Sequence, residues 1–128
     1  MPLHVELVSP ERILYSGEAE MVVCRTAGGG EIAFLPGHAP FVGALDTALV
    51  RVKSTDGREE VAAVHGGFVE VRDDRVTILS DVAELASQVD VERARRAQRA
   101  AEQAGADDES AAAARRAETR LAAATRAT

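Results

Sequence analysis

Over roughly the first 87 residues the apolar positions come in short runs parted by turn formers. The runs at 5–8, 13–15 and 20–25 are separated by Ser-Pro and Ser-Gly pairs. The runs at 48–53 and 58–65 flank Asp56-Gly57, a strong hairpin signal because both residues tolerate a positive φ. The runs at 68–72 and 75–80 flank Asp73-Asp74 in the same way. In Val69-Glu70-Val71-Arg72 apolar and charged residues alternate, as in a strand with one buried face. Strands at this spacing predict a β-sandwich or barrel-like body, and periodicity leaves its topology open.

Near residue 90 the period changes from two to three or four. Asp90 is placed to cap a helix, its carboxylate accepting free N–H groups of the first turn. Val91, Ala94, Ala97, Ala101 and Ala104 then form one stripe, and Gly105 ends the helix. Asp107-Asp108-Glu109 sets negative charge at the positive end of a second helix, whose stripe is Ala114, Ala117, Leu121 and Ala124. Two helices joined by so few residues fold back antiparallel. The predicted fold is therefore α+β: an N-terminal β-sandwich over 1–87, then a C-terminal antiparallel two-helix hairpin over 88–128. Past Asp90 only Val91 and Leu121 are larger aliphatics, and each buried methyl group is worth about 0.8 kcal/mol. The hairpin is expected to be weakly held.

Composition sharpens this division. A chain of 128 residues has room for one compact core plus an appendage. Aromatics are 3% with no Trp, so the core must be built from Val, Leu, Ile and Ala. Residues 1–89 carry 7 basic and 14 acidic side chains, whereas residues 90–128 carry 8 arginines and 7 acids. The total of −6 argues against nucleic acid as a partner, since phosphate binding requires a basic face. The single Cys24 excludes an internal disulfide, fits a reducing compartment and reads as a buried structural thiol in the apolar run 21–24. The N-terminus lacks the features of a secretory signal, and no run approaches the roughly 20 apolar residues that span a bilayer. A role at a membrane would need another protein to hold the chain there, without direct bilayer insertion.

No constellation for catalysis emerges. His4, His38 and His65 are far apart and read as surface or loop histidines, and no Cys/His cluster has metal-ligand spacing. Gly28-Gly29-Gly30 lacks the following Lys-Ser/Thr, and the strand-like Glu31-Ile32-Ala33-Phe34 stands where a phosphate loop must open onto a helix. Asp73-Asp74 belongs to a hairpin tip. A binding or mechanical role is favoured over an enzyme.

Three segments carry a family resemblance. Gly30-Glu31-Ile32-Ala33-Phe34-Leu35-Pro36-Gly37-His38-Ala39-Pro40 resembles the Gly-Glu-x-x-x-x-Pro-Gly-His-x-Pro segment of F-type ATP synthase epsilon subunits. Gly66-Gly67-Phe68-Val69-Glu70-Val71, followed by Val76-Thr77-Ile78-Leu79 and Ala83-Glu84, is similar to a second element. Val89-Asp90-Val91-Glu92-Arg93-Ala94 is similar to a third, in the family's order and across nearly the whole chain.

The resemblance implies a non-catalytic subunit of the central rotor stalk, peripheral at the cytoplasmic face of the cell membrane, coupling ion translocation through the c ring to ATP synthesis. The body would bind the gamma subunit and rest on the c ring, with Glu31 and His38 in the ring-facing loop. The helices would leave the body in an inhibited state and meet the alpha/beta subunits, Arg115, Arg116, Arg120 and Arg126 suiting an acidic surface. No cofactor is required. Regulatory ATP is implied at the body–hairpin junction, at Val89, Asp90, Arg93 and Ala94 with Glu84 upstream. Val89 stands where the family has a larger aliphatic, and Asp90 is equally explained as a helix cap. The alternative is a free-standing ATP-sensing or protein-interaction module.

Overall fold

The computed structural model describes residues 1–105 and 107–127. Seven strands precede two helices: β1 Leu3–Val8, β2 Ile13–Thr26, β3 Gly30–Phe34, β4 Phe41–Ser54, β5 Glu59–Arg72, β6 Arg75–Leu79 and β7 Ala83–Leu85. A 3-10 turn, Ala86–Gln88, leads to α1 Val91–Gln103 and α2 Asp108–Ala127. All strand pairs are antiparallel except β1 with β6.

The three long strands serve both layers of a sandwich. The first halves of β2 and β4 and the second half of β5 combine with β1 and β6 in one layer. Their other halves combine with β3 and β7 in the second layer. Between them lies a core of Leu3, Val5, Val22, Phe34, Val64, Val69, Val71, Val76 and Ile78, each at most 1% exposed. It is aliphatic apart from Phe34, as the composition requires.

The long strands correct the expected boundaries. The runs 13–15 and 20–25 are one strand, and so are 58–65 and 68–72. Ser16-Gly17 was expected to break β2, but Gly17 pairs with Val5 and the strand continues. Gly66-Gly67 interrupts neither β5 nor its pairing with β4. There both glycines have positive φ, +83° and +131°, and a Cβ on Gly67 would clash with the Leu79 carbonyl oxygen at 2.1 Å. Only glycine lets β5 cross between layers so close to β6.

The turns follow their chemistry. Asp73 and Asp74 both have positive φ, as a two-residue hairpin loop needs, and Gly57 has φ +89°. Asp90 caps α1 by accepting the Arg93 N–H at 3.1 Å, and Asp107 accepts the Ser110 N–H at 2.7 Å at the start of α2. Gly105, with φ +105°, closes α1.

The helix seams differ from the expected stripes. In α1, Ala94 and Ala101 are buried, Val91 and Gln98 are half-buried, and Ala97 and Ala104 are exposed. In α2, Ala117 and Ala123 are fully buried, while Ala114, Leu121 and Ala124 are partly so. A stripe assumes one buried face, but α2 packs against α1 and also against β4 and β5. Ala123 sits with Val61, Ala63 and Ala86 in a second, small cluster outside the sandwich, flanked by Leu49 and Val89. The hairpin lies folded on the body.

Candidate functional site at the body–hairpin junction

Where β7, α1 and α2 meet, a cleft of about 360 Å³ is lined by Glu84, Asp90, Arg93, Ala94, Ala97, Ala113, Arg116 and Arg120. Each arrives for a local reason. β7 presents Glu84. The capped first turn of α1 sets Asp90, Arg93 and Ala94 side by side. Arg116 and Arg120, four apart, share one face of α2. The alanines leave the room. Three guanidinium groups and two carboxylates thus face a space of ligand size.

Within it, Arg120 Nε donates to Glu84 Oε1 at 2.5 Å, and both side chains are about three-quarters buried. Arg116 reaches Glu109 at 3.3 Å. The Arg93 backbone N–H donates to Asp90, and its guanidinium forms no ion pair among the described residues. Chemically, guanidinium groups suit a phosphate chain and a carboxylate suits hydroxyl or amino donors.

Four of the five expected junction residues therefore converge. Val89 does not, because it turns into the small cluster beneath α2. Arg116 and Arg120, expected as contacts of an extended tail, line the cleft when the hairpin is folded, and their spacing of four was the available signal. Arg115 is exposed, and Arg126 forms a bidentate pair with Glu59 of β5 at 2.7 and 3.2 Å. That hydrogen bond is the chief reason the Glu59 carboxyl lies below its ordinary range.

His65 departs furthest from expectation. It is no surface histidine: its side chain is 3% exposed, beneath α2, with Nε2 3.7 Å from Glu84 Oε1. Among the described residues, neither ring nitrogen has a hydrogen-bond partner. Its place in an apolar run, 61–64, was the clue.

Glu31 and His38 are not brought together. Glu31 lies in β3, not in a loop, and pairs with Arg51 at 3.4 Å. His38 lies in the β3–β4 loop, edge-on to Phe34 with centroids 4.9 Å apart. The Gly37 N–H in that loop donates to Asp74 at 2.7 Å, tying it to the β5–β6 turn. At the other end of the same layer, cross-strand neighbours Ala44, Phe68, Leu79, Val8 and Ile13 make an apolar row on the outer face. Phe68, Leu79 and Ile13 are 59%, 50% and 57% exposed, and Val42 nearby is 70% exposed. The row is a contiguous apolar patch open to solvent.

Residues 2–86 match the family described as ATP synthase, Delta/Epsilon chain, beta-sandwich domain. The ATP synthase epsilon chain of Streptomyces griseus is 47% identical over 119 residues, spanning 93% of this chain and 92% of that one. That of Brevibacillus brevis is 53% identical over 98 residues, 77% and 74% of the two chains. A chain in the cryo-EM structure of the Euglena gracilis mitochondrial ATP synthase shares the fold with a TM-score of 0.72. It is 22% identical, and the likeness covers 94% of this chain and 75% of that one. The chain belongs to the ATP synthase delta/epsilon family, within it to the epsilon chains. It is a subunit of an ATP synthase.

Proposed function

We propose that the body couples c-ring rotation to the gamma subunit, and that the hairpin is a releasable brake on ATP hydrolysis. The observation that carries the brake is how shallowly the hairpin is seated. Among the described residues, the apolar seat on the sandwich is the small cluster of Ala123 with Val61, Ala63 and Ala86, helped by the Glu84–Arg120 and Glu59–Arg126 pairs. Partly exposed ion pairs contribute little, about 0–1 kcal/mol at the surface. Arg120 and Arg126 thus have two alternative uses: on the body's carboxylates when the hairpin is closed, and on an acidic alpha/beta surface when it is extended. One excludes the other.

ATP is the ligand the junction cleft suits best. Arg93, Arg116 and Arg120 would meet its phosphates, with Glu84 or Asp90 on ribose or adenine. Because the cleft is built from body, α1 and α2 together, a ligand there binds only the closed hairpin and stabilises it. The apolar row Ala44–Phe68–Leu79–Val8–Ile13 is the face suited to gamma, and the loop holding His38 is suited to the c ring. The site of work is the cytoplasmic side of the membrane.

Calorimetry tests the ligand: wild type is expected to bind ATP and Arg93→Ala to bind it at least tenfold more weakly. No heat from wild type at millimolar ATP removes the site. Co-purification tests the assembly. Tagged chain should recover gamma, alpha and beta subunits, and Phe68→Asp should lose them while remaining folded. Failure of wild type to recover them would leave the free-standing nucleotide sensor as the better reading.

A further inference from the structure

We infer that His65, Glu84 and Arg120 form a proton-sensitive latch, releasing the hairpin as its surroundings turn acid. The inference rests on the hairpin being releasable and adds the condition that releases it.

The geometry is set by β5. Val61, Ala63 and His65 alternate onto the outer face of the second layer, the first two packing in the cluster that holds Ala123. α2 therefore roofs His65. The charged groups that face the ring are Glu84 from β7 and Arg120 and Arg116 from α2, and Asp81 of the β6–β7 loop lines a neighbouring cleft together with His65. Its partner on β4 is Thr47, which is uncharged, and the turn Ala86–Gln88 brings no charge. Glu84 Oε1 lies 3.7 Å from His65 but 2.5 Å from Arg120, so the carboxylate already has its cation. A buried polar ring with neither nitrogen hydrogen-bonded among the described residues is costly to keep.

Protonation would set an imidazolium beside two guanidinium groups that share one nearby carboxylate. Opening the hairpin removes both arginines, admits water to the ring and leaves Glu84 free to pair with it. The proton thus favours the open form. Burial first, and the Arg120 charge second, push the closed-state ring down to about 4. Once open, it returns to its ordinary value of about 6.5. The closed form therefore has its full stability above about 6.5 and loses it as pH falls toward 4. Between about pH 7.5 and pH 5.5 the ratio of open to closed hairpin should rise about tenfold. The Glu59–Arg126 pair does not account for such a change, since Glu59 sits below the ordinary carboxylate range and keeps its charge over that interval. His4 and His38 lie on β1 and in the β3–β4 loop, away from α2.

The test uses the full isolated chain without nucleotide, carrying dyes at Asp56→Cys and Glu118→Cys in a Cys24→Ala background. Energy transfer reports the open fraction at the two pH values. The latch predicts a rise of about tenfold in wild type, and less than twofold in His65→Gln and in His65→Ser. A ratio that does not change in wild type, including a hairpin closed at both pH values, overturns it. So does a tenfold rise that persists in either folded variant. Because the readout needs no partner subunit, the latch fails or stands separately from any effect of the tail on hydrolysis.

Discussion

Replacing Ala123 by Leu probes the hairpin's seat directly. Ala123 is fully buried among Val61, Ala63 and Ala86, which are themselves at most 8% exposed. Three added carbons have no space there unless α2 lifts. Overpacking of this kind costs about 1–3 kcal/mol. The sandwich core lies on the other side of the sheet, so the cost falls on docking alone. It raises the open-to-closed ratio by roughly fivefold to a hundredfold, at about 1.4 kcal/mol per factor of ten. An undocked Ala-rich hairpin is marginal in water, so opening exposes α2 amides to exchange. Hydrogen exchange at fixed pH should therefore show α2 losing protection by that factor, with β1, β3 and β6 unchanged. In assembled enzyme the same variant should hydrolyse ATP more slowly, its brake being freer. Unaltered α2 protection in a folded variant would refute the proposed seat.

Other outcomes follow from the same structure. Gly67→Ala should lower stability to urea by at least about 2 kcal/mol, since its new methyl group meets the Leu79 carbonyl oxygen and its φ is +131°. Cys24 is 1% exposed, and burial, aided by Glu31, pushes its thiol up to about 11. It should resist a thiol reagent at neutral pH until the chain is unfolded. Arg120→Gln should loosen the hairpin more than Arg126→Gln does, because the Arg120 pair is the less exposed of the two, and added salt should narrow the difference.

The division into sheet and hairpin was legible because it rests on local signals: alternation at 69–72, Asp-Gly and Asp-Asp turns, and an Asp cap at 90. Strand length was not, because Gly17 and Gly66-Gly67 look like breaks to any local reading. Only the partners across the sheet, Val5 and Leu45, show that β2 and β5 run through them. The helix stripes failed for a related reason. Sequence periodicity reports one buried face, whereas α2 has two. At the junction, Asp90, Arg93 and Ala94 were readable as a motif, but Arg116, Arg120 and His65 come together only when α2 folds back over β5.

The account turns on the hairpin acting as a brake that the body holds closed. The direct measurement is the ATP hydrolysis rate of the assembled enzyme containing either the full chain or one lacking residues 90–128. The account predicts faster hydrolysis without the tail, with assembly intact. Equal rates in the two enzymes would contradict it.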